Sequence, residues 1–191
     1  MRRTLVLAVG VLAGLVLAPG AQAMQDISIF SYPPGSSSEG RPLVSPIPRE
    51  TITYGGPYPP GAIVVNTNER RLYFVLPGHA AIKYGVGVGR PGFTWAGVSR
   101  VANKREWPDW TPPPQMLKRR PDLPRHMEGG IDNPLGARAL YIAGTLFRIH
   151  GSNEPDTIGQ AVSSGCIRMT NDDVIDLYGR ARVGSPVIVM R

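Results

Sequence analysis

The chain has 191 residues, with 21 Lys and Arg against 14 Asp and Glu, a formal charge of +7, three histidines and one cysteine. A single thiol cannot close an internal disulfide, so the covalent framework that staples many small exported domains is excluded. The three scattered histidines and one cysteine show none of the paired spacings zinc uses, so no metal or other cofactor is expected. The positive charge suits nucleic acid, an anionic membrane surface or an anionic polymer such as cell wall, and does not choose among them.

The first 23 residues read as a leader rather than as fold. Arg2 and Arg3 precede an apolar run of 14 residues (5–18), and Ala21-Gln22-Ala23 offers small residues where a signal peptidase reads. That predicts export with cleavage before Met24. The run is shorter than the ~20 apolar residues a membrane span needs, so no stable membrane insertion is expected after cleavage. Residues 24–60 then read as a linker. Eight prolines and four glycines between Pro33 and Pro60, with few large apolar side chains, predict an extended, poorly ordered spacer.

From Gly61 onwards the pattern becomes that of one domain, 61–191, and it is mainly β. Residues 62–66 and 71–76 are β-rich runs joined by Thr67-Asn68-Glu69-Arg70, a hairpin. Leu72, Phe74 and Leu76 share one face of the second run and Tyr73 and Val75 the other. Both faces are therefore expected to be partly buried, as in a sandwich or barrel. Pro77-Gly78 turns into a third strand over 80–88, and 98–102 is another short one.

Residues 107–125 carry six prolines, Trp107, Trp110 and the Lys118-Arg119-Arg120 cluster, too many prolines for a central strand or helix. They predict a long loop, either lining a cleft or stapled to the body by its tryptophans. Residues 137–143 and 145–149 are two further strands, which leaves His150 at the C-terminal end of the second. A helix is expected from Asn171 to about Arg182, with Asn171 as N-cap, Asp172 and Asp173 in the first turn and Gly184 as stop. A last strand follows over 185–190.

The chemistry concentrates in 147–171, FRIHGSNEPDTIGQAVSSGCIRMTN. A lone thiol in an exported chain is either a buried small hydrophobe or a group put to use. Thiolate is the nucleophile, and a neighbouring imidazole is its usual activator. His79 lies in a turn tip and His126 in the proline-rich loop. His150 ends a strand and is separated from Cys166 by 15 residues, enough for the chain to fold back. Gly165 permits positive φ or close approach and is expected to leave amide N–H groups free for an oxyanion. Arg168 would share a side with Cys166 and could bind a carboxylate.

His150-Gly151, followed by Ser163-Ser164-Gly165-Cys166-Ile167-Arg168-Met169 and Asn171, resembles the catalytic motif of the L,D-transpeptidase (YkuD-type) family. Val64-Val65-Asn66 with Leu72-Tyr73, Tyr84 to Gly89, Trp107 to Pro113 and Asn133-Pro134-Leu135-Gly136 are similar to that family too. The likeness covers approximately Gly61 to Arg191. It implies a mainly β, mixed sandwich or barrel-like fold with one or two short helices near the C-terminus, and peptidoglycan as substrate in the periplasm or cell envelope.

It further implies that Cys166 attacks the L,D peptide bond after the third residue of a tetrapeptide stem and releases D-Ala. His150 takes the thiol proton, the Gly151 carbonyl completes the triad, and Arg168, Gly165 and Ser164 serve the substrate or oxyanion. Many members carry histidine where Ser164 stands, and Ser-Ser-Gly-Cys here resembles instead the branch from Gram-negative envelopes. The acceptor is another stem, an envelope protein, a free D-amino acid or, in a carboxypeptidase, water. A peptidoglycan-binding module without turnover is the non-enzymatic alternative, and nucleic acid is not an expected partner.

Overall fold

The hairpin read from alternating apolar residues is the start of the sheet. In the computed structural model, which describes residues 45–191, strands β2 (Ile63–Asn66) and β3 (Arg71–Leu76) pair antiparallel through the turn at 67–70. The expected leader and residues 24–44 of the expected linker lie outside the described residues. The part of that linker that is described contributes β1 (Glu50–Thr53), which pairs antiparallel with β4 (Ala80–Gly85). Tyr54 and Tyr58, just after it, pack on Ala62, Val64, Val75 and Ile188. The expectation of a spacer with little core is thus corrected for 45–60. A few large aromatic rings are enough to cover one sheet face, and the prolines fall beside the strand rather than within it.

β4 stops at Gly85 instead of running on to Val88. The chain bends there, and β5 (Val88–Gly89) joins a separate two-stranded sheet with β9 (Ala161–Ser163). Next comes β6 (Gly97–Glu106), twice as long as expected because its second half is the polar stretch Asn103-Lys104-Arg105-Glu106, which carries no apolar alternation. β7 (Arg138–Ile142), β8 (Arg148–His150), β10 (Ile167–Arg168) and β11 (Pro186–Met190) complete a nine-stranded sheet of order β1-β4-β3-β2-β11-β6-β7-β8-β10.

One apolar cluster draws Leu72 and Tyr84 from one end of that order, Ile149 and Ile167 from the other, and Val174 and Leu177 from the helix between β10 and β11. Strands far apart in the sheet share one core, so the sheet curls around it. Val64, Val75 and Ile188 form the smaller cluster on the opposite face, which accounts for the two-sided burial of β2 and β3. The fold is mainly β, with two helices.

The proline-rich loop holds the first, α1 (Pro114–Arg119), which sequence reasoning excluded. Pro114 occupies the first position, where the missing N–H has no intrahelical partner to lose, and the next proline, Pro121, lies beyond the end. The second helix, α2 (Asn171–Arg180), is capped by Thr170, not Asn171. The Thr170 hydroxyl accepts from the Asp173 N–H at 3.3 Å, while the Asn171 side chain is engaged elsewhere, by the Ala137 N–H at 2.9 Å.

Candidate active site

β8 and β10 are only three and two residues long, yet their parallel pairing assembles the site. Ile149 faces Ile167, and His150 faces Arg168. The alignment continues backwards, because the Phe147 ring packs directly against Gly165. Cys166, between Gly165 and Ile167, therefore lies across from Arg148. Side chains alternate across a strand, so Ile149, Ile167 and Phe147 turn to the core while Arg148, His150, Cys166 and Arg168 share the other face. On that face His150 and Cys166 are diagonal neighbours on adjacent strands. A three-residue 3-10 turn (Pro155–Thr157) lies in the connection between them.

His150 is 4% exposed, and its Nδ1 lies 2.6 Å from the Gly151 carbonyl oxygen. A carbonyl can only accept, so Nδ1 carries the proton and Nε2 holds the lone pair. Burial, then the positive charge of Arg168, hold the imidazolium down to a pKa of about 3, against a smaller upward pull from the Gly151 carbonyl. The ring is neutral at physiological pH and its basic nitrogen is Nε2. The Gly151 carbonyl is itself fixed. The Gly151 N–H donates to the Arg138 carbonyl at 3.0 Å, and its α-carbon is packed so tightly by Asn171 Oδ1 and the backbone of Gly136 and Ala137 that no Cβ fits.

The turn that carries the thiol is held from three sides. Gly165 has φ of +111°, and a Cβ there would collide with Cε1 of Phe147. The Trp95 indole N–H donates to the Gly165 carbonyl at 3.1 Å, and its ring stacks on Phe147 with centroids 5.1 Å apart. The Ser163 hydroxyl donates to the Cys166 carbonyl at 2.6 Å and accepts the Gly165 N–H at 3.1 Å.

That last bond corrects one expectation: the Gly165 amide is committed to Ser163 and is not open to an oxyanion. The Cys166 amide, by contrast, makes no hydrogen bond among the described residues. Gly165→Ala should cost roughly 2–4 kcal/mol of stability, combining strained φ with a clash against a stacked ring. A urea midpoint equal to that of the unaltered chain would contradict this account of the turn.

Arg168 is placed across from His150, but its guanidinium Nη1 is bonded to Glu154 Oε2 at 2.8 Å, a pairing the sequence did not suggest. Ser164 sits half-buried at the head of the turn. His79 lies in the exposed turn between β3 and β4, and His126 faces Thr111 in the long loop, so neither joins the site. Trp107 and Trp110 belong to a loop closed on itself. Trp110 and Met127 exchange two backbone bonds of 2.8 Å, and the Asn133 amide donates to the carbonyls of Pro108, Met127 and Glu128. Trp95 was missed by sequence reasoning, whose attention went to the two tryptophans of the proline-rich loop. Among the described residues no three His, Cys, Asp or Glu side chains gather in a metal-binding group, and no helix is long and apolar enough to cross a membrane.

A neutral histidine with a fixed tautomer and a half-exposed cysteine thus lie on one face of neighbouring strands in a curled β-sheet. The sequence profile of the L,D-transpeptidase catalytic domain (YkuD) matches residues 60–189, and the chain belongs to this family. It is 40% identical over 137 residues to the probable L,D-transpeptidase ErfK/SrfK of Escherichia coli, a match spanning 67% of this chain and 43% of that protein. It is 34% identical over 192 residues to the probable L,D-transpeptidase YcfS of the same organism, spanning 95% of this chain and 55% of that one. The chain thus spans about half the length of these relatives. The fold is also that of an L,D-transpeptidase from Mycobacterium smegmatis, with a TM-score of 0.55 at 20% identity over 68% of this chain and 58% of the other.

Proposed function

We propose that this domain is an envelope L,D-transpeptidase that works on peptidoglycan stems through a cysteine thioester. The observation that carries the reading is the tautomer of His150. With Nδ1–H committed to the Gly151 carbonyl, Nε2 is the nitrogen left to take a proton, and the β8–β10 register sets Cys166 beside it. In the proposed reaction Nε2 takes the thiol proton while sulfur attacks the carbonyl between the third residue of a tetrapeptide stem and its terminal D-Ala. The tetrahedral oxyanion is met by the Cys166 N–H. The imidazolium returns its proton to the departing amine, D-Ala leaves and a thioester remains. An acceptor amine, deprotonated by the same nitrogen, then takes the acyl group and frees the thiol.

The acceptor is a second stem, an envelope protein or a D-amino acid, and the leader expected in residues 1–23 supports a periplasmic location. Incubation of the purified domain with tetrapeptide muropeptides, followed by mass spectrometry, tests this. Free D-Ala together with a cross-linked dimer or an exchanged stem is the expected result. D-Ala with tripeptide alone would make the domain an L,D-carboxypeptidase. Binding with no D-Ala release would make it a peptidoglycan-binding module and overturn the proposal.

A further inference from the structure

Two arginines share the face of the sheet that carries Cys166 and His150, and they are not in the same electrostatic state. Arg168 is paired with Glu154 at 2.8 Å. Arg148 has no carboxylate partner among the described residues. Its guanidinium lies 5.4 Å from the centroid of the Tyr141 ring, and its Nε is buried without a hydrogen-bond partner. Tyr141 is the residue paired with Arg148 across β7 and β8, so the cation rests on the ring beside it and is held on the β7 side of the thiol.

Burying a guanidinium nitrogen with neither an anion nor a hydrogen-bond acceptor costs free energy. The cation–π contact returns only part of that cost. Arg148 also depresses the basicity of His150, which shows that its charge reaches the catalytic face. A half-exposed cation with no paired carboxylate among the described residues is suited to an anion that arrives with the substrate. A planar guanidinium matches a planar carboxylate in a two-bond fork.

We infer that Arg148, braced by Tyr141, is a carboxylate-binding subsite on the β7 side of Cys166, and that it takes a carboxylate of the peptide substrate in place of Arg168. The inference rests on the proposed reading for the identity of the substrate, a stem peptide rich in carboxylates, but not for the existence of the subsite. Arg168, already paired, orients the β8–β10 edge and tunes His150.

The test that does not depend on turnover is alkylation of Cys166 with iodoacetate, which carries a carboxylate, and with neutral iodoacetamide, at one pH and low salt. In Arg148→Met the ratio of the iodoacetate to the iodoacetamide rate should fall about two- to five-fold, from the loss of one nearby charge. Arg148→Lys should keep most of the ratio, and it serves as the folded variant should methionine prove unstable. An unchanged ratio in Arg148→Met, or an equal slowing of both reagents, would overturn the subsite, since the second outcome assigns Arg148 to the thiol itself.

With muropeptide donors, Arg148→Met should raise KM about ten-fold with kcat little changed, the signature of lost ground-state binding. Amidating the donor's carboxylates should raise the KM of the unaltered domain similarly and add little in the variant. Equal KM values for the variant and the unaltered domain would also overturn it. Failure of the transpeptidase reading appears separately, as absent D-Ala release from the unaltered domain while the alkylation ratio still reports on Arg148.

Discussion

Cys166→Ala should reduce D-Ala release from tetrapeptide muropeptides to the level of buffer while changing the urea midpoint little. In the proposed mechanism Cys166 forms the acyl-enzyme, so the loss should be at least about 10⁴-fold, as when a nucleophile is removed from a covalent mechanism. The small structural cost follows from how the turn is held. Ser163 bonds the backbone carbonyl of Cys166 and the amide of Gly165, and Trp95 bonds the carbonyl of Gly165. None of these contacts uses the sulfur. The residue is also only partly buried, so the removed atom leaves a depression open to water rather than a sealed cavity, and the change should stay within about 1 kcal/mol. D-Ala release at an undiminished rate would remove the cysteine mechanism altogether. A large drop in stability would instead mean that the thiol is a packing element and that activity measurements on this variant report folding.

The sequence made the hairpin of β2 and β3, the helix α2 and the strand-end position of His150 legible, because each depends on local pattern. Leu72 and Phe74 alternate with Tyr73 and Val75, acidic residues crowd one helix start, and Ile149 and His150 follow a strand parity. What stayed hidden depends on partners far along the chain. β10 is two residues long and exists as a strand because β8 is there to pair with it. Trp95 reaches the turn that carries Cys166 across 70 residues of sequence, and nothing around it marks that destination.

The Thr170 cap was hidden for a related reason. Thr170 and Asn171 are both good caps, and only the demand of the Ala137 N–H for Asn171 Oδ1 decides between them. The expectation of a free Gly165 amide failed because a serine two residues earlier could fold back onto it, a choice set by turn geometry rather than by residue type. Proline content misled twice, at α1 and at 45–60. In both places the prolines border the structured element and leave its hydrogen bonds intact.

His150→Gln should separate two consequences of one buried ring. Chemically, the variant lacks the group that the proposed mechanism uses as base for the thiol and the acceptor amine, so turnover should fall by about 10²–10⁴-fold. Thermodynamically, the ring makes folding sensitive to acid. The unfolded imidazole titrates near 6.5 and the folded one near 3, so the unfolded chain gains a proton first as pH falls. The contribution of neutral His150 is therefore fully present above pH 6.5 and is lost progressively between 6.5 and 3. Between pH 7 and pH 5 the loss should be about 2 kcal/mol from this group alone.

Carboxylates with raised folded values, such as buried Asp173, act in the opposite direction as pH falls, and they remain in the variant. The difference between the two urea midpoint profiles consequently isolates the ring. The profile of His150→Gln should be flatter than that of the unaltered domain over pH 5–7. Parallel profiles would mean that the imidazole can take up its proton in the folded state, by opening to water or by moving away from Arg168. The case for a neutral resting base at Nε2 would then fall, whatever happened to turnover.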